Sequence, residues 1–544
     1  MVGGWRAALA GLVLAAWIDA GAARAADGAA AVLAALKAAS GGEAWDAGGA
    51  IVAEGRKTSF GLSGPYEAVE DLGSGRFVRR ADYGLMRNAE GLDGEGRWRM
   101  DNSGAVHPLD SGEARAVAVT EAFLARRGYL HADRGDAAYR LAGRAKDEGV
   151  TYDLVEAAPA GGRAVTLWID RVTHRLDRAV FELSNRTETL RFSDHRKVDG
   201  LVLPFAIAVD NGDQAETGEI AVASYRLTRA DEPPIARPAP PTDSRLRADG
   251  APAWLRLDPM SGFLLVEARI NEAAPMLFIL DTGGHDILTP STAEALGLSR
   301  VGHGFSLGAG AGSTTTEYAR VGRVRIGAAE LSDQPFVVLG LNLGRGTGRD
   351  GTAQPIAGII GLELFERFAA TLDYGRGELR LCPFSAAAAP GGAPLRFSDD
   401  MPLVEGAVNG LPAWFDLDTG NNGDAILFKA WVAAHGPAAG LAPAAVGPIT
   451  GTGVGGEVSF QRSRARALSL GGVDVGETGV LLAGDGMGSL SARFEAGNVG
   501  QSVLSRFTVS FDYSRERFWL SAPGSPGICG PSPVGDIKLS AGRN

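Results

Sequence analysis

The chain has 544 residues, of which 45% are hydrophobic and 22% charged, and its formal net charge is −11. This length predicts two to four domains, and the composition is typical of a globular protein, which excludes a disordered or membrane-embedded chain. The negative charge excludes non-specific binding to nucleic acid, and the histidines show no metal-ligand spacing, so we expect neither a metal nor another cofactor.

The first 25 residues have the pattern of a signal peptide. Arg6 precedes the apolar stretch Ala7–Ile18, and Ala23–Ala25 is a small-x-small cleavage site. The apolar stretch is too short to anchor the chain in a bilayer. The sequence therefore predicts an exported protein, periplasmic or secreted, without a transmembrane anchor.

The sequence before residue 230 predicts a helix followed by a meandering antiparallel sheet. Residues 28–40 form an Ala-rich helix candidate, and short alternating apolar runs between turn residues fill residues 48–228. A second helix is predicted at roughly Ala114–Arg127. The Pro-rich stretch Glu232–Pro241 then predicts a semi-rigid linker and a domain boundary.

Beyond the linker the sequence repeats itself once, and the two copies agree at their openings and at their ends. The openings share Val266, Asn271, Pro275 and Asp281 in the first copy and Val404, Asn409, Pro412 and Asp418 in the second. The closing blocks have identical spacings and comprise Gly361, Arg367, Asp373, Arg376 and Leu381, then Gly500, Arg506, Asp512, Arg515 and Leu520. Such agreement indicates two homologous lobes.

Each copy carries an Asp-Thr-Gly triplet between an apolar strand and a turn. A single triplet indicates no more than a turn, but two at equivalent positions point to chemistry. If the lobes pair about a two-fold axis, Asp281 and Asp418 meet, share one proton, and activate a water for peptide hydrolysis. The threonines offer hydrogen bonds to the partner loop, and the glycines allow a tight backbone. These supporting residues are Thr282, Gly283, Thr419 and Gly420.

On these residues the two copies resemble the retropepsin-like aspartic peptidase family, fused in one chain as in pepsin-like enzymes. The matching motifs are Leu280–Gly283, Leu417–Gly420, Ile359–Gly361, more loosely Asn498–Gly500, and the closing strands Phe368–Tyr374 and Phe507–Tyr513. The resemblance covers residues 257–522. It implies a mainly β protein with two closed lobes in a pepsin-like bilobal unit, a cleft for a peptide or protein substrate, and Asp281 and Asp418 as the catalytic pair of an endopeptidase. Both lobes lie in one chain, so a monomer is expected.

The family also implies a mobile hairpin flap over the cleft. Glycines lie where the flap tips would fall, and they are Gly308, Gly310, Gly312, Gly453, Gly455 and Gly456. A glycine-rich tip suits a lid that opens for substrate and closes to exclude water. The alternative is a hairpin that is merely flexible.

Several positions depart from the family pattern. Gly284 and Asn421 follow the triplets where the family has Ala or Ser, and His285 and Asp286 make the first loop more polar. Asp416 stands where the first lobe has an isoleucine, and its charge is expected to perturb the second loop. A degenerate pair of lobes, which binds extended peptides by strand addition without cleaving them, is therefore an alternative.

The N-terminal pattern of a helix followed by a long meander, with Leu167–Asp170 and Gly200–Phe205, resembles the lipoprotein-carrier (LolA-like) family of the bacterial envelope. The resemblance implies an α+β domain with a curved antiparallel sheet around a helix, which shelters an acyl chain or another apolar ligand. No residue is assigned to that site. An accessory or inhibitory pro-region, and an envelope carrier whose function lies in this domain, are the alternatives.

Seven segments follow from this reading. They are a signal peptide (1–25), the N-terminal β-rich domain (26–230), a Pro-rich linker (231–256), lobe 1 (257–383), an inter-lobe linker (384–400), lobe 2 (401–522) and a C-terminal tail (523–544). Each lobe ends near one of the two cysteines, Cys382 and Cys529, and both a disulfide and two free thiols are compatible with the sequence.

Overall fold

A computed structural model describes most of the chain. The described residues are 28–132, 136–183, 186–210, 218–229, 233–248, 251–307, 310, 313–384, 390–398, 401–445, 447–484 and 488–530. The predicted signal peptide and the end of the predicted tail lie outside them. Strands account for 53% of the residues and helices for 14%, so the predicted mainly β class is confirmed. Across the described ranges, no helix is both long and apolar enough to cross a membrane.

The chain divides into two compact units. The first unit comprises Met1–Asp101 with Val106–Pro238, and the second comprises Asn102–Ala105 with Ala239–Asn544.

The first unit is built on one antiparallel sheet. Its thirteen strands within the described ranges are β1 (Ala50–Ser59), β2 (Leu62–Asp71), β3 (Phe77–Asp82), β4 (Arg87–Leu92), β5 (Arg97–Met100), β6 (Val106–Pro108), β7 (Ala137–Asp147), β8 (Val150–Pro159), β9 (Val165–Asp170), β10 (Leu176–Glu182), β11 (Thr187–Val198), β12 (Leu201–Asp210) and β13 (Gly218–Thr228). Strands that follow one another in the chain pair in two runs, β1 to β6 and β7 to β13, and the pairing of β13 with β1 joins the runs.

Two helices pack against one face of this sheet. Helix α1 spans residues 28–40, and helix α2 spans Gly112–Ala125, two residues earlier than predicted. Helix α2 begins there because Ser111 Oγ accepts a hydrogen bond from Ala114 N (3.1 Å), as an N-cap does. The apolar core between helices and sheet includes Leu33, Leu36, Phe123, Leu167, Ile169 and Phe181.

The second unit contains the two sequence repeats. Its strands in the described ranges are β14 (Ser244–Leu246), β15 (Ala253–Leu257), β16 (Leu264–Ile270), β17 (Met276–Leu280), β18 (Ile287–Leu288), β19 (Arg300–Leu307), β20 (Ser313–Ile326), β21 (Ala329–Leu339), β22 (Arg345–Thr347), β23 (Ala353–Ile360), β24 (Ala369–Asp373), β25 (Glu378–Cys382), β26 (Ala393–Ser398), β27 (Met401–Val408), β28 (Leu411–Leu417), β29 (Ala425–Leu427), β30 (Ile449–Gly453), β31 (Gly456–Leu470), β32 (Val473–Ala483), β33 (Gly497–Val499), β34 (Thr508–Asp512) and β35 (Arg517–Ser521). Its short helices are α3 (Pro290–Ala295), α4 (Leu362–Phe365), α5 (Lys429–His435) and α6 (Gln501–Leu504).

Each repeat closes a six-stranded barrel with the same pairings. In the first repeat the strands pair in the cycle β16, β17, β23, β18, β21 and β20, and β20 returns to β16. In the second the cycle is β27, β28, β33, β29, β32 and β31, and β31 returns to β27. Strands β17 and β28, which lead to the Asp-Thr-Gly triplets, therefore occupy equivalent places in the two barrels.

A second sheet joins the two repeats. Strands β15, β25 and β24 of the first repeat continue into β34, β35 and β26 of the second. At the junction β24 pairs with β34, and the hydroxyls of Thr371 and Ser510 lie 2.9 Å apart. A disulfide joins Cys382, the last residue of β25, to Cys529. Of the two states that the sequence left open, the structure has the bridge.

Both predicted linkers contain strands. The first, 231–256, includes β14 and part of β15, which pair with β21 and β25. The second, 384–400, includes β26, which pairs with β27 and β35. These strands are too short, at three to six residues, to show a clear alternation of apolar and polar residues. Within the predicted tail, Cys529 is held by the disulfide.

We expect the Cys529→Ser variant to unfold at a lower free energy than the wild type, by about 2–5 kcal/mol, because the bridge closes a loop of 147 residues in the unfolded chain. Urea unfolding measures the difference. Reductant should destabilise the wild type by a similar amount and leave the variant unchanged, and an equal response of both proteins would contradict the bridge.

Candidate active site

The two triplets lie at the ends of equivalent strands. Asp281 follows β17, and its N–H donates to the carbonyl of Ile360 (2.9 Å). Asp418 follows β28, and its N–H donates to the carbonyl of Val499 (3.2 Å). Strands β17 and β28 each pair in parallel with the strand that carries the acceptor, β23 or β33. The buried strands thus deliver both aspartates in the same way.

The threonines of the triplets bind each other across the junction of the repeats. Thr282 N donates to Thr419 Oγ1 (2.9 Å), and Thr419 N donates to Thr282 Oγ1 (3.1 Å). Each hydroxyl then donates to a carbonyl in the other repeat, Thr282 to Leu417 (2.6 Å) and Thr419 to Leu280 (2.8 Å). Both side chains are fully buried. We call these four hydrogen bonds the crossed threonine bonds.

The crossed threonine bonds bring the two carboxyl groups together. A Cβ added to Gly283 would lie 2.7 Å from Asp418 Cγ, and one added to Gly420 would lie 2.5 Å from Asp281 Cγ. A side chain at either position would therefore displace the carboxyl of the other repeat. The Asp281 carboxyl hydrogen-bonds that of Asp418, and burial together with the charge of Asp418 raises the pKa of Asp281 well above its usual range. The site thus favours a protonated Asp281.

Amide groups hold the two carboxyls in place. Gly283 N donates to Asp281 Oδ1 (2.6 Å), and Asn421 N donates to Asp418 Oδ1 (2.9 Å). Asn498 Nδ2 donates to Asp418 Oδ2, and Asn421 Nδ2 donates in turn to Asn498 Oδ1 (2.7 Å). The second loop therefore keeps an ordered set of hydrogen bonds beside Asp416. The sequence predicted no role for Asn498. The available signal was that Asn498 is polar where the equivalent motif of the first repeat, Ile359–Gly361, begins with an apolar residue.

The glycines of the second matching motif pack directly behind the loops. A Cβ on Gly361 would lie 2.3 Å from the carbonyl oxygen of Gly284, and one on Gly500 would lie 2.4 Å from Asn421 Cγ. Contacts below 3 Å force a backbone shift, so only glycine allows this approach. Gly361 and Gly500 thus pack against Gly284 and Asn421, the two residues that follow the triplets and depart from the family pattern.

Buried acids support the first loop. Asp286 Oδ1 accepts a hydrogen bond from Gly361 N (2.7 Å), and Asp286 N donates to Glu363 Oε2 (2.9 Å). His285 Nδ1 lies 2.9 Å from Glu363 Oε1. Burial and the charge of Glu363 raise the pKa of Asp286 well above its usual range. The polar residues His285 and Asp286 therefore connect the loop to helix α4.

The predicted flap glycines lie on two hairpins that touch. Hairpin β30–β31 turns at Val454 and Gly455, and Gly310, between β19 and β20, donates its N–H to the Val454 carbonyl (2.8 Å). Gly455 and Gly456 have φ of 88° and 104°, a backbone that favours glycine. Val454 packs against the apolar cluster of the first barrel that includes Ile279. Gly453 ends β30, whereas Gly308 and Gly312 lie outside the described residues.

Comparison with known proteins identifies part of this unit. Residues 266–364 match the family model described as aspartyl protease. The resemblance to aspartic peptidases is thereby confirmed for this stretch, which is an aspartyl protease-like region and contains Asp281. The second triplet lies outside the matched residues. A search among curated proteins found no match.

Three solved structures are similar at low identity. The chain is 13% identical to a putative outer membrane lipoprotein-sorting protein domain of Vibrio parahaemolyticus, over 35% of this chain and 88% of that one, with a TM-score of 0.25. It is 16% identical to a LolA superfamily protein of Nitrosomonas europaea (34% and 88%, TM-score 0.25) and 14% identical to the MucA/MucB complex of Pseudomonas aeruginosa (60% and 99%, TM-score 0.14).

We expect the Thr282→Val variant to lose roughly 2–5 kcal/mol of unfolding free energy, because valine leaves the Leu417 carbonyl and the Thr419 N–H buried without partners. Urea denaturation measures this loss. The Thr282→Ser variant retains the hydroxyl and serves as the matched control, with a loss below about 1.5 kcal/mol. A loss in Thr282→Val that is no greater than the loss in Thr282→Ser would show that the hydroxyl, and with it the crossed threonine bonds, contributes little to stability.

Proposed function

We propose that the second unit is an aspartic endopeptidase in which the two barrels form a pepsin-like bilobal unit and Asp281 and Asp418 are the catalytic pair. The observation that carries this proposal is the contact between the two carboxyls, held by the crossed threonine bonds. Two carboxyls that share a proton supply an acid and a base at the same point, which amide hydrolysis requires.

The proposed reaction uses one water and no covalent enzyme intermediate. The Asp418 carboxylate takes a proton from the water, whose oxygen bonds to the carbonyl carbon, while Asp281 gives its proton to the carbonyl oxygen. The tetrahedral intermediate then collapses as the C–N bond breaks. Asp418 passes its proton to the leaving nitrogen, and Asp281 recovers a proton from the hydroxyl. Both aspartates return to their starting states.

The hydrogen bonds around the pair support this division of roles. Two N–H donors, the backbone of Asn421 and the side chain of Asn498, bind the Asp418 carboxyl and hold it in position. The raised pKa of Asp281, which follows from burial and from the charge of Asp418, favours its protonated form. The pair thus begins the reaction with one proton, placed on the acid.

The two hairpins are the proposed cover of the cleft. Their tips bind each other through Gly310 and Val454, and Val454 rests on the apolar wall beside the Asp281 loop. A closed cover excludes bulk water and strengthens the electrostatic interactions of the pair. Among the described residues, opening requires the loss of the hydrogen bond between Gly310 and Val454 and of the apolar contact of Val454, so a peptide is able to displace the tips.

Export is proposed from two features. The N-terminal sequence has the pattern of a signal peptide, and the disulfide between Cys382 and Cys529 suits an oxidising compartment such as the periplasm or the extracellular space. A single chain that holds both halves of the site has no need of a partner subunit, which supports a monomer.

Carriage of an apolar ligand by the first unit is the second candidate. The apolar cluster between its helices and sheet is mostly buried by the protein itself. Glu70, which lies opposite the core residue Ile51 in the sheet register, binds Arg79 (2.9 Å) and Arg127 (2.7 Å) on the same face. This charged neighbour makes the face less suited to an acyl chain, so we assign the catalytic function first.

Asp281→Asn and Asp418→Asn should each lower the rate of peptide hydrolysis by about 100-fold or more, because each variant lacks the acid or the base. Hydrolysis of a mixed peptide library by the purified chain, followed by mass spectrometry, measures the loss. A pepstatin-type statine inhibitor should block the wild-type activity.

Glu405→Gln, at an exposed carboxylate of β27, is the matched control and should retain full activity. Cleavage that survives both aspartate substitutions would refute the catalytic pair. Peptide binding without cleavage by the wild type would favour the inactive scaffold, and lipid that co-purifies with the wild type while no peptide is cleaved would favour the carrier.

The Asp281→Asn variant should also gain stability relative to the wild type as the pH rises. A carboxyl whose pKa is raised in the folded state contributes stability below its unfolded pKa of about 4, and this contribution is lost as the pH rises through the folded pKa. Asparagine does not ionise, so the difference in unfolding free energy should grow from pH 3 to pH 7. A constant difference would show that Asp281 is not held in its protonated form.

A further inference from the structure

The two walls beside the catalytic pair differ in chemistry although their strands match. Ile279 lies two residues before Asp281 on β17, and Asp416 lies two residues before Asp418 on β28, so each shares a face with its aspartate. The strand registers agree, since Ile279 pairs with Leu265 and Asp416 pairs with Leu403. A carboxylate thus occupies the position that an isoleucine has in the first barrel.

The neighbouring strand repeats the difference. Ile279 pairs with Ile359 on β23, whereas Asp416 pairs with Asn498 on β33. Three residues before each of these lie Ile356 in the first barrel and Glu495 in the second, and both are buried. One wall is therefore three isoleucines, and the equivalent wall is Asp416, Glu495 and Asn498, which we call the acidic wall.

Asp416 lacks a partner on the acidic wall. Its residue is only 7% exposed, and among the described residues no hydrogen bond or ion pair to its carboxyl is found. The charges that act on it, those of Glu495 and Asp418, are both negative, and with burial they raise its pKa well above the usual range. Glu495 accepts a hydrogen bond from Ser398 Oγ (2.9 Å). A buried carboxyl with acidic neighbours is costly to ionise unless a cation joins it.

A substrate side chain is the natural source of that cation. The acidic wall touches the catalytic pair through Asn498, which donates to Asp418. In the proposed complex, the side chains that flank the scissile bond lie against these two walls, because each wall shares a face with one aspartate of the pair. The isoleucine wall suits an apolar side chain, whereas the acidic wall is complementary to an ammonium or guanidinium group.

We propose that the acidic wall binds the side chain of a lysine or arginine that flanks the scissile bond, with Asp416 as its ion-pair partner. This inference rests on the proposed peptidase function and names its substrate class. It makes Asp416 a specificity-determining residue and leaves the catalytic pair unchanged.

Paired peptides that differ only in lysine or norleucine test the proposal, because norleucine keeps the aliphatic chain and lacks the ammonium. Each pair carries the substitution on one side of the scissile bond, and kcat/KM is measured for the wild type and for Asp416→Asn. We expect the wild type to prefer lysine by roughly 30-fold or more on one side, and the variant to lose most of this preference. The norleucine peptide should be cleaved at a similar rate by both proteins.

Matched variants separate charge from folding. Glu405→Gln removes an exposed carboxylate of the same barrel and should keep the lysine preference. Asp416→Ile installs the residue of the first barrel and should favour norleucine. If Asp416→Asn does not fold, Glu495→Gln should still reduce the preference. Equal use of lysine and norleucine by the wild type, or a preference that survives Asp416→Asn, would overturn the proposal and leave the peptidase function intact.

Binding keeps the two proposals distinguishable. Statine-type peptides with lysine or norleucine beside the statine bind without being cleaved, so their dissociation constants report on the wall alone. If no peptide is hydrolysed, the proposed function fails. The lysine preference in binding, and its loss in Asp416→Asn, then still support or refute the cationic site.

Discussion

The crossed threonine bonds are the constraint on which the rest of the second unit depends. Thr282 and Thr419 each satisfy a backbone N–H and a backbone carbonyl of the other repeat, in a place from which water is excluded. Neither loop is able to satisfy these groups alone, so each barrel completes the other. The bonds also fix the distance between the two carboxyls, which do not both ionise readily at this separation. Burial and proximity, which the site requires, are therefore maintained by neutral hydrogen bonds.

Around this symmetric centre the two repeats use different side chains. The first loop is supported by acids, through Asp286 and Glu363, which bind backbone N–H groups. The second is supported by amides, through Asn498, which binds Asp418, and through Gln501, whose Nε2 donates to the Thr419 carbonyl (2.6 Å). The two repeats thus have the same backbone arrangement, but the polar side chains around their aspartates differ. In the proposed mechanism, this difference in surroundings lets one of two chemically identical carboxyls act as the acid and the other as the base.

The sequence predicted the repeated strands and the two triplets better than it predicted the side chains around them. The sequence predicted the triplets and the closing blocks because strand ends, tight glycines and buried threonines leave few alternative structures. It predicted the meander before Glu232 because apolar and polar residues alternate along its strands. Strands β14 and β26 were missed because short strands have no period to detect. The role of Asn498 and the contact between Gly310 and Val454 depend on distances between remote segments, which no local pattern encodes.

The joining of both barrels in one polypeptide has a consequence for how the site was able to change. In an enzyme assembled from two identical subunits, a replacement of isoleucine by aspartate would appear on both sides of the axis at once, and four neighbouring carboxylates would repel one another. Fusion removes that coupling, because each copy mutates separately. The continuous sheet from β15 to β26 and the bridge at Cys382 keep the halves aligned while their linings diverge. A carboxyl on only one of the two walls is therefore possible only when both barrels belong to one polypeptide.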